Sequence, residues 1–421
     1  MRHNRMAILL LLASLGHAQD VTPSEHETIQ QLVQQVKDLQ DKVKVLESQP
    51  RASVSSDVAA SPQAGAPPPQ DPASDTQNES LSQEIHRLNG IQWRGFGEVN
   101  YKVLNQRTPE LATYGFVGGS RGNFYTGDFD LLLTSRINEK ASVLAEIVFG
   151  EEDAQKFGVD LERVLLKYDH NDSLRMSFGR YHTAIGYYNT AFHSGSWLQT
   201  TADRPLIMEF ANDGGPLPTQ AVGISVTGAL PSGRLGLNYI AEYGSSDTIR
   251  PELDNDRVQD ENNGNHLNLG VFARPASIPG LQVGGSIYHD QISDSSHGPS
   301  VRLGQTIVNA HIVYVRHGTE FLSEGFLIRH AYEHSPNVYN MPAFYSQISK
   351  QFGRIRPFFR YQYINANPGS FLDDIALRHG PSFGARYDLN DNIAFKIQLD
   401  HTLRKDQPDL NGLHFQLAFT F

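Results

Sequence analysis

The chain ends on a strict alternation. Leu413, Phe415, Leu417, Phe419 and Phe421 are separated by His414, Gln416, Ala418 and Thr420. A period of two sends successive side chains to opposite faces of a strand, so this segment is built to lie between an apolar and a polar medium. The same alternation recurs from Ile91 onward. It predicts strands at about 92–102, 122–137, 141–149, 159–168, 173–181, 219–229, 235–244 and 266–274. Further strands follow at about 281–290, 305–315, 320–333, 343–350, 355–364, 378–388, 393–404 and 411–421. Sixteen is an even number, as a closed antiparallel barrel made of one chain requires.

The connections carry a second pattern. Every other one is short and holds turn chemistry: Asn138-Glu139-Lys140, Asp169 to Asp172, Pro231-Ser232-Gly233, Ile278-Pro279-Gly280, His317-Gly318, Phe352-Gly353 and Asn390-Asp391-Asn392. Those between are longer, up to the stretch 182–218. Short turns on one rim and long loops on the other are the mark of a transmembrane barrel, and a soluble sandwich has no reason to alternate in this way. Aromatics near strand ends, such as Trp93, Tyr101, Phe359, Tyr361 and Tyr363, suit the interfacial girdles of such a barrel. The fold class expected is all-β, a 16-stranded antiparallel transmembrane β-barrel over residues 91–421.

Composition removes the competing classes. Mean hydropathy is -0.40 and only one apolar run approaches membrane length, which excludes a bundle of membrane helices. Cysteine is absent, so disulfides, thiolate metal sites and cysteine catalysis are excluded. A net charge of -11 argues against nucleic acid as the partner.

The first 90 residues are of another kind. Arg2 and Arg5 precede the apolar run Met6–Leu15 and the small residues Gly16 and Ala18, a secretory signal peptide over 1–18. Ile29, Leu32, Val36, Leu39, Val43 and Leu46 then alternate steps of three and four, the seam of a coiled-coil helix within 19–48. Ser24 and Glu27 can form its capping box. So short a helix is marginal alone, so the seam calls for partner chains. Its β-branched and Leu positions favour a parallel dimer, whereas the barrel argues for a trimer. Residues 49–90 form a flexible linker rich in Pro, Ala, Ser and Gln, with Leu81, Ile85 and Leu88 marking a short helix at its end.

Strand parity sorts the barrel's side chains. Trp93, Gly95, Gly97, Val99 and Tyr101 take the lipid face, so Arg94, Glu98, Asn100 and Lys102 face inward. The same rule turns inward Asp130, Arg136, Glu146, Lys167, Arg175, Glu242, Arg356, Arg360, Arg386, Lys396 and Asp400. A lumen so charged is a water-filled channel, and sixteen strands leave room for one. Arg94, Arg356, Arg360, Arg386 and Lys396 fall on strands that become neighbours when the barrel closes, a positive stripe that favours anions.

The loop 182–218 is too apolar for free exposure: Tyr187, Tyr188, Phe192, Trp197, Leu198, Leu206, Ile207, Met208 and Phe210 fall within it. Long connections of this kind usually carry function. It is expected to fold into the lumen and narrow the pore, with His182, His193, Gln199, Asp203, Arg204 and Glu209 as its polar contributors. A cap over the mouth or a contact between subunits is the other placement.

No catalytic constellation is visible. GxSxG is absent, and Glu151-Glu152-Asp153 lacks a catalytic partner, so no enzyme is expected. The seventeen histidines look dispersed, without HExxH or a pair at ligand spacing, and neither metal nor cofactor is expected. Asp254, Asp256, Asp260 and Glu261 imitate a calcium loop, but Val258 stands at a ligand position and the loop glycine is missing.

These features together resemble the trimeric porins of Gram-negative bacteria. Within that class, the coiled coil, Phe178-Gly179-Arg180-Tyr181 and Gly186-Tyr187-Tyr188-Asn189 are similar to the phosphate-selective porins O and P. The resemblance implies a homotrimer in outer-membrane lipid, with the N-terminal segment in the periplasm. It also implies passive diffusion of small hydrophilic solutes, with a preference for anions or oxyanions such as phosphate. Phosphate-selective members carry a longer basic ladder, and residues 91–421 hold 28 Lys plus Arg against 35 Asp plus Glu, so the preference expected here is modest. Two other readings stand beside it. One is a sugar-selective porin with Tyr187, Tyr188 and Trp197 as a greasy slide. The other is a tether that contacts the cell wall through the coiled coil.

Overall fold

The computed structural model describes residues 91–105, 122–153, 156–210, 215–246, 265–294, 301–405 and 407–421. The segments expected to form a signal peptide, a coiled coil and a linker, and the calcium-like loop, all lie outside these residues.

All sixteen expected strands form. In chain order they are β1 (Gln92–Leu104), β2 (Asn123–Arg136), β3 (Ala141–Asp153), β4 (Lys156–Asn171), β5 (Leu174–His182) and β6 (Gln220–Ala229). Next come β7 (Leu237–Ser246), β8 (His266–Ala273), β9 (Leu281–Asp294), β10 (Val301–Arg316) and β11 (Thr319–Tyr332). The last are β12 (Val338–Lys350), β13 (Ile355–Asn365), β14 (Leu377–Asp388), β15 (Ile393–Arg404) and β16 (Leu410–Thr420). Each pairs antiparallel with its sequence neighbours, and β1 pairs with β16 to close the barrel. Closure matters in lipid, where an unpaired strand edge would have no water to bond.

Several strands run further than the alternation predicts, most of them on the long-loop side. β3 reaches Asp153, β4 begins at Lys156, β9 reaches Asp294 and β12 begins at Val338. The ladder continues there beyond the apolar band, where no lipid face imposes a period of two.

The outer wall is apolar. Val159, Leu161, Leu166, Val222, Ile224, Leu267, Leu269, Ile287, Val308, Phe344, Ile348, Phe359 and Phe383 all stand exposed on it. Such a surface suits hydrocarbon and not water, so the barrel spans a membrane. Gly95 and Gly97 are on this face but buried, because the rings of Phe421 and Phe419 lie over them. Phe421 also pairs through its backbone with Gly95, at 2.9 and 3.1 Å, so the last residue seals the β1–β16 seam.

Candidate functional site: a loop clamped across the lumen

The connection between β5 and β6 crosses the lumen. Its described residues include a short helix, α1 (Tyr188–Phe192), and 3-10 turns at Ser196–Leu198 and Leu206–Met208. Its apolar side chains meet the inner wall in one cluster. Ile185, Tyr187, Tyr188, Phe192, Trp197, Ile207 and Met208 pack there with Phe96, Tyr288, Phe326 and Tyr345. Burial of this many large side chains is worth about 1.5–3 kcal/mol apiece, which gives the loop its reason to leave the exterior.

Polar clamps then fix its path. At the start, Glu242 on β7 accepts the backbone N–H of Ala184 at 3.0 Å. One turn on, Glu324 on β11 accepts the N–H groups of Tyr187 and Tyr188 at 2.6 and 2.9 Å, along with the Tyr345 hydroxyl at 2.7 Å. Gly186 makes this approach possible: its φ is +85°, and a Cβ there would lie 2.3 Å from the Glu324 carboxylate. Thr200 donates to Glu320 at 2.9 Å. Arg360 donates to the Asp203 carbonyl at 2.9 Å, and Arg386 to the carbonyls of Trp197 and Gln199 at 2.6 and 3.0 Å. Lys396 donates to the carbonyls of Ser196 and Thr201 at 2.5 and 2.9 Å. Gln398 accepts the N–H groups of Ala202 and Asp203.

Asp203 is the loop's charged anchor. Lys102 on β1 and His414 on β16 contact its carboxylate at 3.1 and 2.9 Å. Burial alone would raise this carboxyl, but the Lys102 ammonium and His414 outweigh it and hold it well below the usual carboxylate range.

The sequence-predicted residues divide into three groups. Arg356, Arg360, Arg386 and Lys396 all point inward, as parity requires, and all are buried. Arg360 and Lys396 donate to the loop, Arg386 divides its hydrogen bonds between the loop and Asp388 on its own strand, and Arg356 bonds Gln351 and Ser349 instead. They therefore do not stand across open water from the loop. Arg94 stacks over Phe96 and Trp197, at 5.1 and 5.8 Å from the ring centroids, and keeps part of its exposure, as does Glu98. Arg136, Lys167 and Arg175 form a second group, away from the loop. Arg136 bonds the turn carbonyls of Asn138 and Glu139, Arg175 pairs with Asp172, and Lys167 is half-buried opposite Ser142 and Ser177. The loop residues form the third. Tyr187, Tyr188 and Trp197 are 2, 1 and 6 % exposed. Arg204 donates to the His193 carbonyl at 2.8 Å and lies over the Phe210 ring, while Glu209 is half-buried after the second 3-10 turn.

The histidines looked dispersed, yet His182 and His193 stack with ring centroids 3.6 Å apart, and Glu162 joins them. Sequence spacing hides this because the three residues come from β4, the end of β5 and the loop. Parity reasoning also passed over Glu324, Glu320, Gln398 and His414. Their inward parity was readable, but their partners, being backbone and side-chain groups of a distant loop, were not.

No family model matches the chain, and neither does any curated protein. Solved structures do match. An anion-selective porin from Comamonas acidovorans superposes with a TM-score of 0.54 at 10 % identity, covering 79 % of this chain and 99 % of that one. The trimer form of OmpT, an outer membrane protein of Vibrio cholerae, gives 0.52 at 12 % identity, with 79 % and 99 % covered. The outer membrane channel DcaP of Acinetobacter baumannii gives 0.51 at 10 %, with 79 % and 97 % covered. The chain has the fold of an outer-membrane porin. At such identities the likeness is one of fold, so what the barrel conducts has to be argued from its own lumen.

Proposed function

We propose that the protein is a passive diffusion channel for small hydrophilic solutes in the outer membrane of a Gram-negative bacterium, with the loop 183–219 as its constriction. The observation that carries this reading is the loop's position. It is bonded from β7, β11, β13, β14 and β15, so it lies inside the barrel and narrows whatever passes. Lateral edges are closed and the outer wall is apolar, which leaves the axial path for hydrophilic solutes.

Selectivity falls to the charges that keep water contact. Arg94, Lys102 and Arg204 remain partly exposed, opposed by Glu98, Asp128 and Asp160. A narrow passage between low-dielectric walls magnifies such charges. With both signs present, the anion or oxyanion preference is modest. The sugar reading has less support, since a slide needs open aromatic faces and Tyr187, Tyr188 and Trp197 are covered.

A homotrimer fits this fold, and OmpT of Vibrio cholerae is described in a trimer form. Light scattering in detergent should give three chains per particle, and the seam Ile29–Leu46 would then gather the N-termini in the periplasm. A cell-wall contact through that coiled coil is compatible with a channel and adds an anchor.

Planar-bilayer recording tests the central claim. The purified chain should give discrete conductance steps, and replacing residues 188–212 by a Gly-Ser bridge should raise the step several-fold. An unchanged step would place the loop outside the permeation path, and no steps at all would sink the channel reading. Lys102→Gln with Arg204→Gln should shift the zero-current potential toward cations in a salt gradient, less so at 1 M salt, where the Debye length is about 3 Å.

A further inference from the structure

The pairing of β3 with β4 slips between Glu146 and Ile147: Arg163 faces Glu146, but Leu161 faces Ile147. Glu162 is the extra residue of this bulge. Bulges re-aim side chains, and this one brings Glu162 against the root of the loop. There it meets His182, the last residue of β5, and His193, which follows α1. The ligand atoms of the three residues lie within 4.8 Å of one another.

Hydrogen bonding settles where the proton of His193 sits. Asn189 donates through Nδ2 to the carbonyls of Thr183 and Thr219, both at 2.8 Å, so its Oδ1 faces His193. His193 Nδ1, 2.9 Å away, must then donate to it. In the neutral ring the Nε2 lone pair consequently points at Glu162 Oε2, 3.2 Å distant. That oxygen also accepts from Gln220 Nε2, whose amide is in turn fixed by Arg180. A lone pair facing a carboxylate oxygen is repulsive unless a cation lies between them. A proton could bridge this one pair, but it would leave a second atom unexplained. His182 Nε2 is buried without a hydrogen-bond partner, 3.7 Å from Glu162 and 3.6 Å from Glu146.

We propose that Glu162, His182 and His193 bind a late first-row divalent cation, Zn²⁺ being the natural probe. Ligands about 2.0–2.1 Å from a tetrahedral ion stand about 3.3 Å apart. The two edges to Glu162, at 3.2 and 3.7 Å, are close to this. The His182 and His193 rings, stacked with centroids 3.6 Å apart, have to fan open for both Nε2 lone pairs to meet one ion. Two imidazoles with one carboxylate suit zinc, copper or nickel and not magnesium or calcium. The outer shell is also of the expected kind, with Asn189 orienting His193 and Gln220 orienting Glu162. Three guanidiniums stand nearby, each with its own acceptor: Arg163 on Glu146 and Ser194, Arg180 on Gln220, and Arg204 on the His193 carbonyl. A bound ion would tie the loop's root to β4, on the side of the lumen that the clamps from β11 to β15 do not reach. It would therefore stiffen the constriction.

The test uses the untagged full-length protein in detergent, so it stands apart from whether the barrel conducts. Calorimetric titration with Zn²⁺ should show one saturable site per chain, with no comparable heat from Mg²⁺. His182→Gln and Glu162→Gln should each weaken it at least about tenfold, since even outer-shell changes cost 10–100-fold. Electron paramagnetic resonance of the Cu²⁺-loaded wild type reads the donors without any substitution and should show two coordinated imidazole nitrogens. Absence of saturable Zn²⁺ uptake, affinity unchanged by His182→Gln, or fewer than two nitrogens on Cu²⁺ would each overturn the site and leave an ordinary His193–Glu162 pair.

Discussion

Glu324→Ala is the most informative perturbation of the constriction. Its carboxylate accepts two backbone N–H groups at the start of α1 and the Tyr345 hydroxyl, and all of these donors are buried. A hydrogen bond to a charged group contributes about 1.5–3 kcal/mol. Only the two backbone bonds are counted, each at the lower figure. Their loss amounts to about 3 kcal/mol, which converts to roughly a hundredfold shift between anchored and released loop. The far end, held by Arg386, Lys396 and Gln398, stays in place, so the release is local to residues 184–193. Chymotrypsin reports on this directly, because Tyr187, Tyr188 and Phe192 are cut only when exposed. Cleavage there tracks the open population when reclosing is fast, and should accelerate on the order of a hundredfold. Conductance should become noisier or larger, while barrel melting is unchanged, since β11 keeps its register with β10 and β12. Glu324→Gln, which retains one acceptor, should fall between. Cleavage and conductance of Glu324→Ala within twofold of wild type would refute the clamp.

Three further outcomes are expected. Gly186→Ala strains a residue at φ +85° and pushes a Cβ into Glu324, so it should raise chymotrypsin cleavage as Glu324→Ala does. The double variant should show less than the sum, because both changes break the same contact. Asp203 has its carboxyl depressed, so its contribution is complete above the unfolded value near 3.9 and is lost only as pH falls through the lower folded value. Cleavage by chymotrypsin at Leu206 and Phe210, expressed at each pH relative to an unfolded peptide cut by the same protease, should thus stay constant from pH 7 to about 4.5, whereas Asp203→Asn should raise it at every pH. Lys396→Met leaves the carbonyls of Ser196 and Thr201 without their donor. It should loosen the loop yet move the zero-current potential less than Lys102→Gln, because Lys396 is 0 % exposed and Lys102 keeps water contact.

How much of this was readable from the sequence follows from where each signal originates. Lipid on one side and water on the other force a period of two on every spanning strand. The alternation from Trp93 to Phe421 therefore determined the strand count, the closed antiparallel barrel and the inward parity of Arg360, Lys396, Glu146 and Glu242. Turn chemistry at Asn138, Gly318 and Asn390 marked the short rim for a similarly local reason. The apolar run from Tyr187 to Phe210 announced a loop that needed a surface to cover. Only the tertiary structure decided which surface, and so which charges remain in water. Arg386 and Lys396 read as a lumenal stripe because parity gives direction but not what lies opposite. Their carbonyl partners are nearly 200 residues away in sequence. Glu162 was lost for a different reason. A one-residue bulge breaks the parity rule at that position, and a cluster assembled from β4, the end of β5 and the loop has no spacing to detect. Local periodicity is written by the solvent each strand faces, whereas contacts between distant segments are set by closure of the barrel and the path of the chain across it.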